Sequence, residues 1–436
     1  MVRYYSFFSV EMILVVGPEA IAELCLQRCD SFSHSKTIEF LAEAGMGYAG
    51  MLGTRGETHK HLRRLFSPVF TPGTMAEICA PLWQSCLTMT QALPHDTASV
   101  QLGQWTSRSI LELSGTYVLG QKPGWLTQYP ELLASLQRRV ATGQIKTMVL
   151  SIFPRSIRSL LMLTLFGHRE LTDLRYLEHV ARDMLQAEKR KLMISPGKTP
   201  HSLPNVISVM LEDGTFSEQQ ILGDILVFLI GASETTSATF QWMILELCRH
   251  PEVQVRLREE LHLRRSASTG SEGTGTGTGD ETLFARQIES FPYLRAVVDE
   301  VLRLHPAVVL TEHEATEDTT IAGVLIPRGT LLLCPPLAAN VNPRVWGEDA
   351  AVFNPDRWLD RRRVASSHLC ANMTFSHGPR SCPGRSVARL MLTCLTAAFV
   401  SQYQVSLEDS GKSYVPIEAV YAKPTPELVV RLARVI

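Results

Sequence analysis

The sequence lacks a surplus of charge of either sign. Its 42 lysines and arginines almost balance 43 aspartates and glutamates, which gives a formal net charge of −1. Proteins that bind nucleic acids carry clustered positive charge, because the phosphate backbone supplies much of the affinity. The bulk charge of this chain therefore gives no argument for such binding, and we expect no nucleic-acid partner.

Two further patterns are missing. The nine cysteines are odd in number and include no C-x-x-C pair, which favours a reducing compartment over a disulfide framework. No stretch reaches the run of about 18 apolar residues that is expected of a membrane-spanning helix. The N-terminus carries Arg3 and Glu11 and lacks a clean cleavage site, so it does not read as a secretory signal peptide.

What is present is a long chain of 436 residues, 45% of them hydrophobic, which can bury a large core. Most segments have helical periodicity, while alternation from Tyr4 to Val16 predicts two short strands before a helix that begins at Pro18. Residues 266–280, rich in Gly, Thr and Ser, predict a flexible surface insertion. A domain boundary there is the alternative, but the motifs on both sides favour a single domain over 1–436.

One cysteine near the C-terminus lies in a distinctive stretch, Phe375-Ser-His-Gly378-Pro-Arg380-Ser-Cys382-Pro-Gly384. Pro383 suits a first helical position, so we expect Cys382 at the positive end of a helix. The glycines on either side let backbone amides and a large flat ligand approach the sulfur, and Arg380 suits a carboxylate. An inert buried cysteine is the alternative, but five fixed residue types at these spacings indicate a thiolate metal ligand.

This segment resembles the haem-binding signature F-x-x-G-x-R-x-C-x-G of the cytochrome P-450 superfamily, the haem-thiolate monooxygenases, in a eukaryotic fungal-type form. The resemblance implies the mainly α-helical P-450 fold, a helical haem-binding domain with a small β-rich portion. It implies haem b as cofactor and Cys382 as the axial ligand of the iron. Arg380 is then expected beside a haem propionate and Phe375 beside the sulfur, with Gly378 and Gly384 as further cofactor-binding positions.

A second motif lies in a helix that Ser217-Glu-Gln-Gln220 opens as a predicted capping box. The helix is apolar nearly all round, which is typical of a core helix, yet it contains Glu234, and a buried glutamate is costly unless it is used or paired. Thr235 can bond to the carbonyl four residues earlier. The segment resembles the family's oxygen-activation motif A/G-G-x-D/E-T, with an alanine as the second small residue. The resemblance implies that Glu234 and Thr235 are catalytic and relay protons.

A third motif is an acid and a base one helical turn apart, Glu300 and Arg303. Alone, such a pair is typical of a surface salt bridge worth about 0.3 kcal/mol. Here it matches the E-x-x-R pair of the superfamily, whose third partner would be Arg357. The resemblance implies a buried structural network of these three side chains.

A basic helix near the N-terminus, Gly56-Glu-Thr-His59-Lys-His-Leu-Arg63, resembles the family helix that supplies propionate ligands. His59 and Arg63 are four residues apart and therefore share a face, and we expect both to bind haem. A solvated basic helix is the alternative. The family often has an arginine where this chain has His313, so a haem contact of His313 is left open.

Together the motifs imply a monooxygenase that inserts one atom of O2 into a hydrophobic small molecule. The chain resembles fungal-type members that modify terpenoids or polyketides in secondary metabolism. Electrons are expected from NADPH through a separate cytochrome reductase, because no G-x-G-x-x-G follows a predicted strand. Arg385, Arg389 and residues 361–363 are candidate docking charges, or merely solvated ones. A haem-thiolate isomerase or dehydratase without external electrons, and a truncated inactive haem-binding protein, are the alternatives.

Eukaryotic members usually begin with a membrane anchor, a hinge and a first helix, and we expect none of these here, in a naturally short chain or an incomplete gene model. Residues 146–166 are apolar but broken by Pro154 and two arginines. They correspond to the family's lid, where we favour peripheral membrane contact over core packing. Family resemblance implies the cytoplasmic face of the endoplasmic reticulum. Substrate contacts are expected from 37–53, the helix before Glu234, 307–311 and 415–421.

Overall fold

The computed structural model describes most of the chain, with gaps. The described residues are 1–5, 11–36, 38–39, 42, 48, 50–94, 99–151, 168–194, 203–268, 278–360, 368–417 and 421–435. The backbone alone is described at 142–151, 168–171, 267–268, 278–280 and 417. Of the predicted lid at 146–166, only this backbone up to residue 151 is included, so the expected membrane contact lies outside the described side chains.

Helices make up most of the described chain, which confirms the predicted mainly α fold. They are α1 (Pro18–Ala22), α2 (Gly50–Gly53), α3 (Gly56–Phe66), α4 (Pro72–Gln91), α5 (Leu102–Tyr117), α6 (Leu132–Ser151), α7 (His168–Ile194), α8 (Val206–Asp213), α9 (Glu218–Arg249), α10 (Pro251–Ser268), α11 (Thr278–Gln287), α12 (Pro292–Leu304), α13 (Pro336–Asn340), α14 (Pro343–Trp346) and α15 (Arg385–Gln402).

Short strands form the small β portion. They are β1 (Val2–Tyr5), β2 (Glu11–Leu14), β3 (Phe32–His34), β4 (Val100–Gln101), β5 (Thr311–Ala315), β6 (Thr319–Ile321), β7 (Val324–Ile326), β8 (Leu331–Cys334), β9 (Tyr403–Leu407), β10 (Val415–Ile417), β11 (Lys423–Thr425) and β12 (Val429–Arg434). One sheet has the order β1-β2-β8-β5-β3 and another β4-β12-β9, while β6-β7 and β10-β11 are hairpins. The predicted N-terminal strand pair and the helix that begins at Pro18 are confirmed.

The long helix α9 runs through the core. Ser217 and Gln220 form the predicted capping box at its start. It packs against α5, where the Ser107 and Ser237 hydroxyls lie 3.0 Å apart, and its Phe240 makes an edge contact with Phe399 of α15. Among the described helices, α9 alone is long and apolar enough to cross a bilayer, but most of that apolar window is buried inside the protein, as in a core helix.

Two local predictions differ from the structure. Helix α15 begins at Arg385 with Gly384 as its N-cap, so the expectation that Pro383 occupies the first helical position is wrong. The predicted insertion at 266–280 is narrower than expected, because α10 extends to Ser268 and α11 begins at Thr278. Residues 269–277 lie outside the description, and the flexibility of the insertion stays a prediction.

Candidate active site

The cysteine loop, residues 375–384, folds back on itself before α15 begins. The Cys382 backbone N–H donates to the Phe375 carbonyl at 2.8 Å. Gly378 has a φ of +74°, and a Cβ there would lie 1.9 Å from the Cys25 carbonyl oxygen. Only glycine therefore fits this turn. The guanidinium of Arg385 lies over the Phe375 ring at 5.8 Å, which braces the side of the loop near the sulfur.

Cys382 is an exposed residue, and the other residues of the loop from Phe375 to Gly384 are half-buried or exposed. Burial raises the pKa of its thiol above the ordinary value, while the Gly384 backbone N–H and the charges of Arg63 and Arg385 oppose this rise. The two observations agree if protein atoms surround the sulfur and solvent reaches it through an internal recess. A thiol in such a place becomes a stable thiolate when a metal cation binds it.

Glu234 and Thr235 lie in the middle of α9. Glu234 is only 8% exposed, and its Oε1 has no hydrogen-bond partner among the described residues. Burial raises the pKa of this carboxyl, and the charge of Lys423 opposes the rise. The Thr235 hydroxyl donates to the Gly231 carbonyl at 2.7 Å, the expected back-bond within the helix. An acid with one unpartnered oxygen thus stands beside a hydroxyl.

The same part of α9 has an open stripe. Val227, Ile230 and Thr235 are half-buried and Gly231 is exposed, whereas the residues of α9 from Ile221 to Leu226 are fully buried. Positions 227, 231 and 235 recur about every four residues and therefore share one face of the helix. Between Ile221 and Leu247, the exposed and half-buried residues of α9 are confined to positions 227–235.

One segment, residues 50–54, connects the cysteine loop with α9. At one end the Met51 backbone N–H donates to Oδ1 of Asp224 at 2.7 Å. At the other end Nη1 of Arg380 donates to the Thr54 carbonyl at 2.9 Å. Residues 50–54 therefore contact both α9 and the cysteine loop, and we call the region between Cys382 and the open stripe the recess.

Beside the cysteine loop lies a group of basic side chains, which we call the cationic rim: Arg55, Arg63, Arg380, His34, His59 and His313. The His34 and His313 rings stack across β3 and β5 with centroids 6.1 Å apart. Burial, reinforced by nearby cations, lowers the pKa of His34 and His59 to about 4 and that of His313 to about 3. Burial and the charge of Arg55 lower the pKa of Arg380 to about 10.

The predicted haem ligand Arg63 donates to the Ser381 carbonyl at 2.6 Å and to its hydroxyl at 3.0 Å. Like Arg380, it thus bonds to neutral oxygens of the chain. Arg55, in contrast, lies 3.1 Å from a Glu39 oxygen and 3.7 Å from Glu314. The rim therefore holds more cationic groups than these two carboxylates balance, a composition that suits a ligand with carboxylates of its own.

The ion-pair network, Glu300, Arg303 and Arg357, is fully buried. Glu300 accepts two hydrogen bonds from Arg303, at 2.8 and 2.7 Å, and one from Arg357 at 2.9 Å. The Trp358 indole N–H also donates to it at 2.9 Å. Arg303 further donates to the Asn340 carbonyl at 2.8 Å. The structure thus brings together the three residues that the sequence selected.

The candidate docking residues Arg385 and Arg389 have different surroundings. Arg389 forms an ion pair with Asp299, so its charge is engaged within the protein, whereas Arg385 is exposed. Residues 361–363 lie outside the described part of the chain. An open surface cleft of about 450 Å³ lies elsewhere, between Glu246, His250 and Phe353. No predicted site residue lines this cleft, so it is not the site that the motifs define.

Sequence reasoning missed Arg55, His34 and Asp224. The strand pairing that brings His34 beside His313 joins distant parts of the chain, and no local sequence pattern predicts it. Asp224 did carry a signal, since it is a second acid in an apolar helix, and the cost of burial that drew attention to Glu234 applies to it equally.

The family model Cytochrome P-450 matches residues 2–430. The chain belongs to the cytochrome P-450 family. It is 31% identical to cytochrome P-450 monooxygenase sphH of Aspergillus fumigatus, over 97% of this chain and 80% of that protein. It is 28% identical to cytochrome P-450 monooxygenase buaD of Petromyces alliaceus, over 92% and 75%.

Solved P-450 structures share the fold. Retinoic acid-bound cyanobacterial CYP120A1 aligns with a TM-score of 0.77 and 19% identity, covering 98% of this chain and 90% of the other. CYP102L1 also gives 0.77, with 20% identity over 99% and 91%. These likenesses establish the P-450 fold, and the named relatives make the chain a haem-dependent monooxygenase.

The recess fits the haem-thiolate cofactor that the family implies. It combines the exposed residue Cys382 with the open stripe of α9. The cationic rim suits the two carboxylates of haem, because guanidinium and imidazole groups donate hydrogen bonds to carboxylate oxygens. Glu234 of α9 adds a buried acid with one oxygen that has no hydrogen-bond partner among the described residues.

Proposed function

We propose that this P-450 oxidises a hydrophobic small molecule of fungal secondary metabolism, a terpenoid or a polyketide, with haem b held by Cys382. The observation that carries the proposal is the exposed residue Cys382 in a loop that closes through its backbone N–H onto the Phe375 carbonyl. The match to fungal P-450 monooxygenases supports the metabolic setting. In the reaction, substrate, O2, two electrons and two protons give a hydroxylated or epoxidised product and water.

In this proposal the cysteine loop and the rim bind the cofactor. Cys382 would supply the thiolate ligand. Gly384 leaves room beside the sulfur, and Gly378 permits the turn that presents it. Arg380, His59 and Arg63 hold the carboxylates, with Arg63 exchanging or sharing its present bonds to Ser381. Haem, when bound, supplies the reductive activation of O2 and the transfer of one oxygen atom.

Glu234 and Thr235 are proposed to supply protons. Burial holds the pKa of Glu234 above its ordinary value, which brings a carboxyl closer to the range where it both releases and regains a proton. The Thr235 hydroxyl can donate to a neighbour while accepting from another donor. The pair therefore moves protons from the side of Lys423 towards the recess.

The remaining assignments follow the family. We propose one catalytic domain over 1–436, in which the Glu300, Arg303 and Arg357 network is structural and Phe375 shields the sulfur. NADPH-cytochrome reductase is the proposed electron donor, with the exposed Arg385 as a docking charge. Residues 146–166 are proposed to touch the membrane at the cytoplasmic face of the endoplasmic reticulum.

The first test is the carbon monoxide difference spectrum of the reduced, haem-loaded protein. We expect the red-shifted Soret band of a thiolate-ligated haem, lost in Cys382→Ala. Cys370→Ala is the matched control, because Cys370 is fully buried in a turn close to the loop, and it should keep the band. A chain that takes up no haem, or a histidine-like spectrum that Cys382→Ala leaves unchanged, contradicts the proposal.

The second test concerns proton supply. With purified reductase and a substrate found by screening terpenoids and polyketides, Glu234→Gln should lower product formation by about 100-fold, the usual scale of a lost proton donor. Thr235→Ala should divert NADPH electrons to hydrogen peroxide. Thr236→Ala is the control, since its buried side chain lies off the open stripe. Turnover that needs no NADPH would support the isomerase or dehydratase alternative instead.

A further inference from the structure

Asp224 is a buried acid of α9 that the proposed reaction does not use. It is 0% exposed. Its Oδ1 accepts the Met51 backbone N–H at 2.7 Å, whereas its Oδ2 is buried without a hydrogen-bond partner among the described residues. Burial raises the pKa of this carboxyl to about 7, and the Met51 N–H opposes the rise. A half-satisfied buried carboxyl is costly and calls for an explanation.

The position of Asp224 along α9 relates it to the recess. Residues 224, 227, 231 and 235 are spaced three and four apart, so Asp224 shares a face with the open stripe and Thr235. The stripe is open from Val227 onwards and closed at Asp224. It closes where α2 lies across the helix, bonded to Asp224 through Met51.

The shape of α2 is fixed tightly at this contact. Gly50 has a φ of +53°, and a Cβ there would lie 2.7 Å from Cγ2 of Val227 and 3.0 Å from Oδ1 of Asp224. The next turn of chain ends at Thr54, whose carbonyl accepts from Arg380. Residues 50–54 are thus fastened to α9 at one end and to the cysteine loop at the other.

We propose that Asp224 is a positioning residue that fixes residues 50–54 as a wall of the recess, and that it thereby selects substrates by shape. The inference rests on the proposed monooxygenase function, because the recess must receive substrate. Leu52, which is 47% exposed, lies on the segment that Asp224 holds. A wall fastened by one buried carboxyl shifts when that acceptor is removed, and bulky ligands register the shift more than small ones.

The test uses haem-loaded protein and two ligands that bind iron through the same ring nitrogen, imidazole and 4-phenylimidazole. Losing the hydrogen bond from the Met51 N–H should change the ratio of their Kd values by about fivefold in Asp224→Leu. Asp224→Asn keeps an acceptor for Met51 and should preserve the ratio. Ser237→Ala removes a buried hydroxyl contact of α9 off the stripe and should preserve it too. Hydrogen exchange of the 50–54 peptide should accelerate only in Asp224→Leu.

A second pair of variants leaves Asp224 intact. It tests the role of residues 50–54 even if Asp224→Leu does not load haem. Gly50→Ala pushes α2 away from Val227, whereas Gly56→Ala has a similar φ of +55° and nothing within 4 Å of its Cβ. Only Gly50→Ala should change the Kd ratio. Faster exchange with an unchanged ratio would make the contact purely structural and overturn the inference. A missing thiolate spectrum in the unmodified protein would overturn the proposed function itself.

Discussion

The ion-pair network and the cationic rim both gather arginines, fully buried in the network and half-buried in the rim, but these arginines have different hydrogen-bond partners. In the network, Arg303 and Arg357 donate to one carboxylate, Glu300, at 2.7 to 2.9 Å. In the rim, Arg63 and Arg380 donate to neutral oxygens of the chain. Opposite charges meet throughout the first region, whereas of the three rim arginines only Arg55 pairs with carboxylates, those of Glu39 and Glu314.

The electrostatics of the rim show the consequence of this difference. The charge of Arg380 lowers the pKa of His34, His59 and His313, after burial itself. At neutral pH these imidazoles are therefore uncharged, and the chain limits its own positive surplus. The difference between the rim and the network indicates a different role for each region. A closed set of partners holds backbone in place, whereas a positive surplus beside a recess serves an anionic ligand.

Removing the charge of Glu300 should have the largest effect on the contrast between the network and the rim. Glu300→Gln leaves the buried Arg303 without its carboxylate and Arg357 with Asp349 alone, and the free energy of unfolding should fall by about 3–5 kcal/mol. Urea unfolding followed by circular dichroism measures the loss. Glu57→Gln is the control, because Glu57 pairs with Lys60 at the same i,i+3 spacing on the surface, and it should change stability by less than about 1 kcal/mol. Equal effects of the two substitutions would show that burial of the network is unimportant.

The network also illustrates what the sequence predicts well. Glu300 and Arg303 are fixed relative to each other by the helix they share, and the capping box of α9 is equally local. Such features follow from periodicity and spacing, since the geometry of a helix is known in advance. Arg357 required the family resemblance, because nothing local in the sequence says which buried acid a distant arginine meets.

The rim and the cysteine loop show where sequence reasoning stops. Arg55 and His34 enter the site through strand and loop packing between distant segments. Pro383 was misplaced for a physical reason: the Cys382 N–H closes the loop onto the Phe375 carbonyl, so the chain has not yet entered the helix there. Gly384 then takes the N-cap position, which a rule about prolines does not anticipate.

The rim should also differ from the network by a smaller effect, the dependence of stability on pH. The rim histidines have folded-state pKa values of about 4, 4 and 3, below the ordinary value of about 6.5. Between these values the unfolded chain binds more protons than the folded chain, so stability is lost as the pH falls below about 6.5. Each histidine should lower the free energy of unfolding by at most about 1.4 kcal/mol for each unit by which the pH falls. Urea midpoints at pH 7.5 and 5.5 measure the loss.

Arg380→Gln isolates the part of this loss that comes from crowding. Because Arg380 lowers the pKa of all three imidazoles, its removal should raise those values and flatten the dependence of stability on pH. Arg256→Gln is the control, since Arg256 pairs with Asp356 at the surface and does not act on the rim histidines. If the stability of both variants depends on pH as steeply as that of the unmodified protein, burial alone lowers the pKa values of the three histidines. The rim would then differ from the network only in lacking a carboxylate at its centre, and not through repulsion among its cations.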